Sequence, residues 1–130
     1  MKGAVTAESD YSGFAMLGWN VAQSEDGAAA GTWAVPATGG VTVTVANPGG
    51  TPLRLQLQGT DPHTGTDRWC VALTSGQEVP WTSFVTNCWT GGTPQTPLTA
   101  GAQIEQAAIL VPGTMASLPF DVCLVSIQIQ

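Results

Sequence analysis

Short runs of alternating apolar and polar residues, each closed by a cluster of Gly, Pro, Asn or Asp, recur along the whole sequence. Alternation over about four to eight residues predicts half-buried β-strands, because successive side chains point to opposite faces. The cleanest run is Val41-Thr42-Val43-Thr44-Val45, which stops at the turn Asn47-Pro48-Gly49-Gly50. Leu53-Arg54-Leu55-Gln56-Leu57-Gln58 resumes the alternation. These two runs predict a hairpin-like pair with Val and Leu inward and Thr, Arg and Gln outward. Phe14 to Val21 is different: Leu17, Trp19 and Val21 occupy one face and Phe14, Met16 and Gly18 the other. A run apolar on both faces predicts a central strand.

Gly31 to Val35, Trp69 to Leu73, Trp81 to Val85, Ile104 to Val111 and Phe120 to Ile129 supply further strands. Pro112 and Pro119 fall at strand ends, where a missing N–H does least harm. Only Ala100 to Leu110 has a composition that could be drawn as a helix. Many short strands with frequent turn signals predict an all-β fold. The expected form is an antiparallel β-sandwich of two sheets, jelly-roll-like rather than immunoglobulin-like. A chain of 130 residues reads as one domain spanning residues 1–130.

Composition narrows the partners. The net charge is −6, and Lys2, Arg54 and Arg68 are the only lysines and arginines. Nucleic acid is excluded, because binding it requires many phosphate-neutralising cations. Anionic membrane surfaces are disfavoured for the same reason. No apolar run approaches the ~20 residues that span a bilayer, and Met1-Lys2-Gly3 opens no long apolar segment of signal-peptide type. The expectation is therefore a mature domain, or one cut from a longer protein. Cys70, Cys88 and Cys123 match neither a zinc pattern nor a Cys-x-x-Cys redox pair. One disulfide and one buried thiol are expected. Cys70–Cys88 is favoured because both residues adjoin a Trp on neighbouring segments, with Cys88–Cys123 and three buried thiols as the alternatives.

Catalytic chemistry is thin. His63 is the only histidine, in the loop Asp61-Pro62-His63-Thr64-Gly65, and reads as a solvated loop residue. Metal sites built from several His or Cys ligands are excluded by count, and no cofactor is expected. Asp61 and Asp67 share a Gly-containing loop that could hold calcium, although solvated turn acids are the plainer reading. Glycoside hydrolysis needs two carboxyl groups, and Glu105 and Asp121 are the two acids within predicted strands. A domain this small has little chain left to wall a hydrolytic cleft, so a non-catalytic protein is expected.

Five tryptophans against one tyrosine and three phenylalanines change the picture more than any acid. Each indole buries roughly 200 Å² and needs a partner for its N–H, so a small core accommodates only some of them. Trp19 alternates with Leu17 and Val21 and is expected in the core, while Trp81 could lie on either side. Trp33, on a thin strand, and Trp89, before the loop Thr90-Gly91-Gly92-Thr93, are expected to be exposed. Trp69, beside Asp67-Arg68, is placed with them, although its parity with Val71 and Leu73 points inward. Exposed indole faces suit the C–H faces of pyranoses. Carboxamides, which donate and accept together, suit their hydroxyls. Gln56 and Gln58 share a face with Arg54, and Asn20 lies opposite Trp19.

The segments Gly13-Phe14-Ala15-Met16-Leu17-Gly18-Trp19-Asn20-Val21-Ala22-Gln23, Arg68-Trp69-Cys70, Trp81-Thr82-Ser83-Phe84-Val85-Thr86-Asn87-Cys88-Trp89 and Pro119-Phe120-Asp121-Val122-Cys123-Leu124 carry a resemblance over nearly the whole chain. They resemble non-catalytic carbohydrate-binding modules of bacterial endoglucanases, nearest to carbohydrate-binding module family 81. The resemblance implies a β-sandwich, a planar aromatic site along the strands, and binding of cello-oligosaccharides, mixed-linkage β-1,3-1,4-glucan and xyloglucan. The site residues come from strand parity and loop composition instead. They are a platform of Trp33, Trp69 and Trp89, with Gln56, Gln58, Asn20 and Asp67 orienting hydroxyls. The expected protein is a secreted module that holds a tethered glycoside hydrolase on its polysaccharide. A protein-interaction or adhesion module of a cell-surface protein is the alternative.

Overall fold

The alternating runs become strands in the computed structural model, which describes residues 1–27, 29–61, 67–89 and 94–130. In chain order the strands are β1 (Lys2–Val5), β2 (Phe14–Asn20), β3 (Ala22–Gln23), β4 (Ala30–Gly31), β5 (Trp33–Ala34), β6 (Gly40–Ala46), β7 (Arg54–Gln58), β8 (Arg68–Ala72), β9 (Glu78–Pro80), β10 (Val85–Thr86), β11 (Gln103–Ile104), β12 (Gln106–Pro112), β13 (Leu118–Asp121) and β14 (Cys123–Ile129). Trp81–Ser83 forms a single 3-10 turn. The segment with helical composition is strand too, as β11 and β12. Cross-strand hydrogen bonds and an inward apolar face outweigh the weak local preference of its Ala and Gln residues.

Two antiparallel sheets form the sandwich, one with strand order β10-β8-β7-β12-β2 and one with order β14-β6-β9. Val41, Val43 and Val45 of β6 meet Leu55 and Leu57 of β7 and Ile109 and Val111 of β12 in one core cluster. The predicted inward and outward faces of β6 and β7 are therefore observed, but the predicted pairing is not. β6 pairs with β14 and β7 with β12, so consecutive strands lie in opposite sheets. The antiparallel ribbon made by β6–β7 and β12–β14 thus folds over from one sheet to the other, which is the jelly-roll manner of closing a sandwich. The turn Asn47–Gly50 is real, with Gly50 N–H donating to Asn47 O at 3.0 Å, but it carries the chain across instead of back.

β2 also differs from expectation. It is an edge strand, paired on one side with β12. Its Leu17 and Trp19 face inward, while Phe14 and Met16 are 60% and 46% exposed. Smaller pairings of β1 with β13, β5 with β11 and β3 with β4 close the ends of the sandwich. The Cys70–Cys88 disulfide forms as favoured, with Cα atoms 5.6 Å apart. It ties β8 to the segment after β10. Cys123 is exposed, so the expected buried thiol is not there.

Candidate functional site: a groove on the five-stranded sheet

The outward face of the five-stranded sheet follows from strand register. Gly18, Ala108, Gln56, Cys70 and Val85 form one cross-strand row, and Asn20, Gln106, Gln58 and Arg68 form the next. Gln56, Cys70, Gln58 and Arg68 of these rows form the floor, and the loop of Asp10–Gly13 and Trp89 stand beside it. A groove of about 830 Å³ results, within the range of ligand sites. Arg54, Gln56, Gln58 and Arg68 supply its polar lining, and Phe14, Met16, Leu110 and Pro112 its apolar side. Tyr11 and Trp89 also line it; they are 57% and 42% exposed.

Gln56 lies on the groove floor in the same row as Cys70. It is 4% exposed, and its carboxamide has no hydrogen-bond partner among the described residues. Its N and O atoms are not among the buried side-chain atoms left without a partner, so they face the groove, where a ligand hydroxyl can bond to them. Tyr11 is held at φ 60°, in the left-handed region that side chains other than Gly and Asn rarely occupy. The loop is pinned there by Glu8 N–H donating to Thr114 O and Tyr11 N–H donating to Glu8 O. Gly113 permits this close approach, since a Cβ there would collide with the Gly13 carbonyl oxygen. Asn87, which precedes Cys88 and Trp89, is likewise left-handed at φ 54°. Backbone held in such conformations near a groove is a feature of ligand sites.

Asp10 also lines the groove. Hydrogen bonds from Ser12, side chain first and then backbone N–H, hold its carboxyl below the usual range. The N–H bond is 3.0 Å long.

The structure divides the expected site residues. Gln56, Gln58 and Trp89 come together in the groove. Asn20 shares the outward face as expected, but its carboxamide donates to Gln23 Oε1 and does not line the groove. Trp69 is not on the platform: it is 8% exposed and faces inward opposite Leu57, as its parity with Val71 indicated. Trp33 is not exposed either. It is partly buried against the core, with its ring 5.2 Å from that of Trp81 at an interplanar angle of 60°. A two-residue strand gives no parity to read, and the covering ring comes from a distant part of the chain. Asp67 serves its own loop by accepting the Asp61 N–H at 2.8 Å, and its carboxylate packs where a Cβ on Gly59 would stand. His63 and the loop Thr90–Thr93 lie outside the described residues.

Tyr11, Phe14, Met16 and Arg68 are groove residues that parity and composition did not single out. The signal was the outward apolar face of β2, which marks a groove wall and not a central strand. Glu105 falls between β11 and β12, whereas Asp121 ends β13 in a separate sheet and pairs with Lys2 at 3.4 Å. Inside the sandwich, a cavity of about 90 Å³ is walled by apolar side chains including Trp19, Trp33, Trp81 and Ile127. Trp81 Nε1 is buried there with no partner among the described residues. No group of three or more metal-ligating side chains occurs among the described residues.

No protein-family model matches this chain, nor does any curated protein sequence or solved structure. The groove itself therefore carries the functional reading.

Proposed function

We propose that the protein is a non-catalytic carbohydrate-binding module. A β-glucan chain lies in the groove, stacks on Trp89 and hydrogen-bonds to Gln56 and Gln58. The observation that carries this reading is the unpartnered Gln56 carboxamide on a groove floor flanked by exposed aromatic rings. Each carboxamide–hydroxyl bond contributes about 1 kcal/mol, and each stacked ring about as much beyond its buried area. Several of each give roughly micromolar to millimolar affinity for an oligosaccharide. Such a module acts by raising the effective concentration of a tethered, secreted glycoside hydrolase on cell-wall polysaccharide.

Affinity electrophoresis in native gels containing barley-type β-glucan, xyloglucan, xylan or mannan tests the reading. Retardation by the first two, lost in Trp89→Ala, is the expected result. Migration unchanged in every gel would sink it.

One observation favours the second reading, a protein-interaction module. Val125, Ile127 and Ile129 on edge strand β14 are 63%, 37% and 59% exposed, and an unpaired apolar edge is a surface on which another chain can add a strand.

A further inference from the structure

The groove gathers most of the few cationic side chains of an acidic chain. The sequence carries nine acidic residues and three basic ones, and both arginines line the groove. Lys2, the remaining cation, is engaged with Asp121 in the β1–β13 pair, outside the groove lining. Arg54 sits between Ala72 on β8 and Leu110 on β12, neither of which can answer a guanidinium. Among the described residues no carboxylate pairs with it. A chain with so few cations gains nothing in fold from placing an unpaired one on a sheet face beside the Gln56 carboxamide. A planar guanidinium matches a carboxylate through two parallel hydrogen bonds, which neutral hydroxyls cannot offer.

We propose that the groove, besides neutral β-glucan, accepts a glycan bearing uronic-acid carboxylates and holds it more tightly, with Arg54 as the group that reads the carboxylate. Resting on the carbohydrate-binding reading above, the proposal adds a second class of sugar to the same groove. Gln56 and Gln58 alternate with Arg54 along β7 and take the hydroxyls of the same chain. Asp10, at the Tyr11 side of the groove, keeps its negative charge to low pH and disfavours a carboxylate there. The acidic group is thereby directed to Arg54 and neutral rings to the Asp10 side. The net charge of −6 does not prevent this, because exposed charges beyond about 8 Å are largely screened at physiological salt.

The test compares retardation in native gels containing glucuronoxylan with that in the same polymer after its carboxyl groups have been reduced to alcohols. A barley β-glucan gel runs alongside, and unfolding midpoints verify that each variant is folded. Wild type should bind the native polymer roughly tenfold more tightly than the reduced one, as expected of one charge-assisted hydrogen-bond pair. The ratio should fall towards one in Arg54→Gln and at high salt, and persist in Lys2→Gln. Equal binding of the two polymers, or a ratio unchanged in Arg54→Gln, overturns the proposal. Binding to β-glucan alone overturns it while leaving the carbohydrate-binding reading intact. Binding to none of the polymers overturns both.

Discussion

Replacing Trp69 and Trp89 separately by Ala should produce opposite defects. Trp69 is 8% exposed and faces Leu57 and the core. With roughly 200 Å² of side-chain area and about 25 cal/mol per Å², its burial contributes about 4–5 kcal/mol as an upper estimate. Truncations of buried Trp cost about 3–5 kcal/mol. That is a large share of a typical domain's 5–15 kcal/mol or so. For a chain of this size the transition should fall by roughly 10–20 °C. Trp89 is 42% exposed, so about half of that area remains to be lost. Its place at the groove rim lets neighbours and water relax into the gap, which keeps the cost below about 2 kcal/mol. Urea unfolding followed by circular dichroism gives the stability order, and native gels containing β-glucan give the binding order. Trp69→Ala should be much the less stable variant yet keep glucan binding where it is folded. Trp89→Ala should be nearly as stable as wild type and bind weakly. A Trp69→Ala variant of normal stability that has lost glucan binding would refute the inward placement and the groove with it.

Other outcomes follow from the same geometry. Reducing the Cys70–Cys88 disulfide, whose cysteines are 18 residues apart, should cost about 3 kcal/mol in urea unfolding, whereas Cys123→Ser should leave stability unchanged. Gln56→Leu replaces a groove-floor carboxamide, which bonds to no described residue, with a similar apolar shape. The variant should stay within about 1 kcal/mol of wild-type stability, while glucan affinity drops roughly fivefold or more. Hydrogen bonds from Ser12 hold the Asp10 carboxyl below its unfolded value, so between the two values the folded chain binds fewer protons than the unfolded one. Its contribution to holding the Tyr11 loop should be complete above the unfolded value and vanish as pH falls through the lower folded value. The Ser12 amide resonance should report this, and a midpoint at or above the unfolded value would contradict it.

How far the sequence could be read depended on strand length. In β6, β7 and β8 the alternation runs long enough for parity to sort the faces, which put Val43 and Leu57 inside and Gln56 and Gln58 outside. Parity cannot say which strands pair. The turn after β6 suits either a hairpin or a crossover, and the choice is made by the pairing of β6 with β14 and of β7 with β12, far along the chain. Nor does an apolar outward face say what covers it. On β2 that face suggested a central strand, but β2 lies at the sheet edge and Phe14 and Met16 wall the groove. Trp33 shows the limit at the short end. Strand β5 has two residues, and the Trp81 ring that covers Trp33 arrives from another segment. Part of the site was legible as the outward Gln pair and Trp89. The rest, from the Tyr11 loop and β2, depended on Gly113 letting that loop close over the sheet.

Binding of a glycan to the outward face of the five-stranded sheet is tested most directly by the indole N–H resonances of the five tryptophans. On titration with a cello-oligosaccharide or a uronate-bearing oligosaccharide, the Trp89 indole and the Gln56 and Gln58 side-chain amides should shift together, while the Trp69 and Trp81 indoles stay in place. Shifts centred on Trp33 and Trp81, or on β14, with Trp89 and Gln56 unmoved, would contradict it.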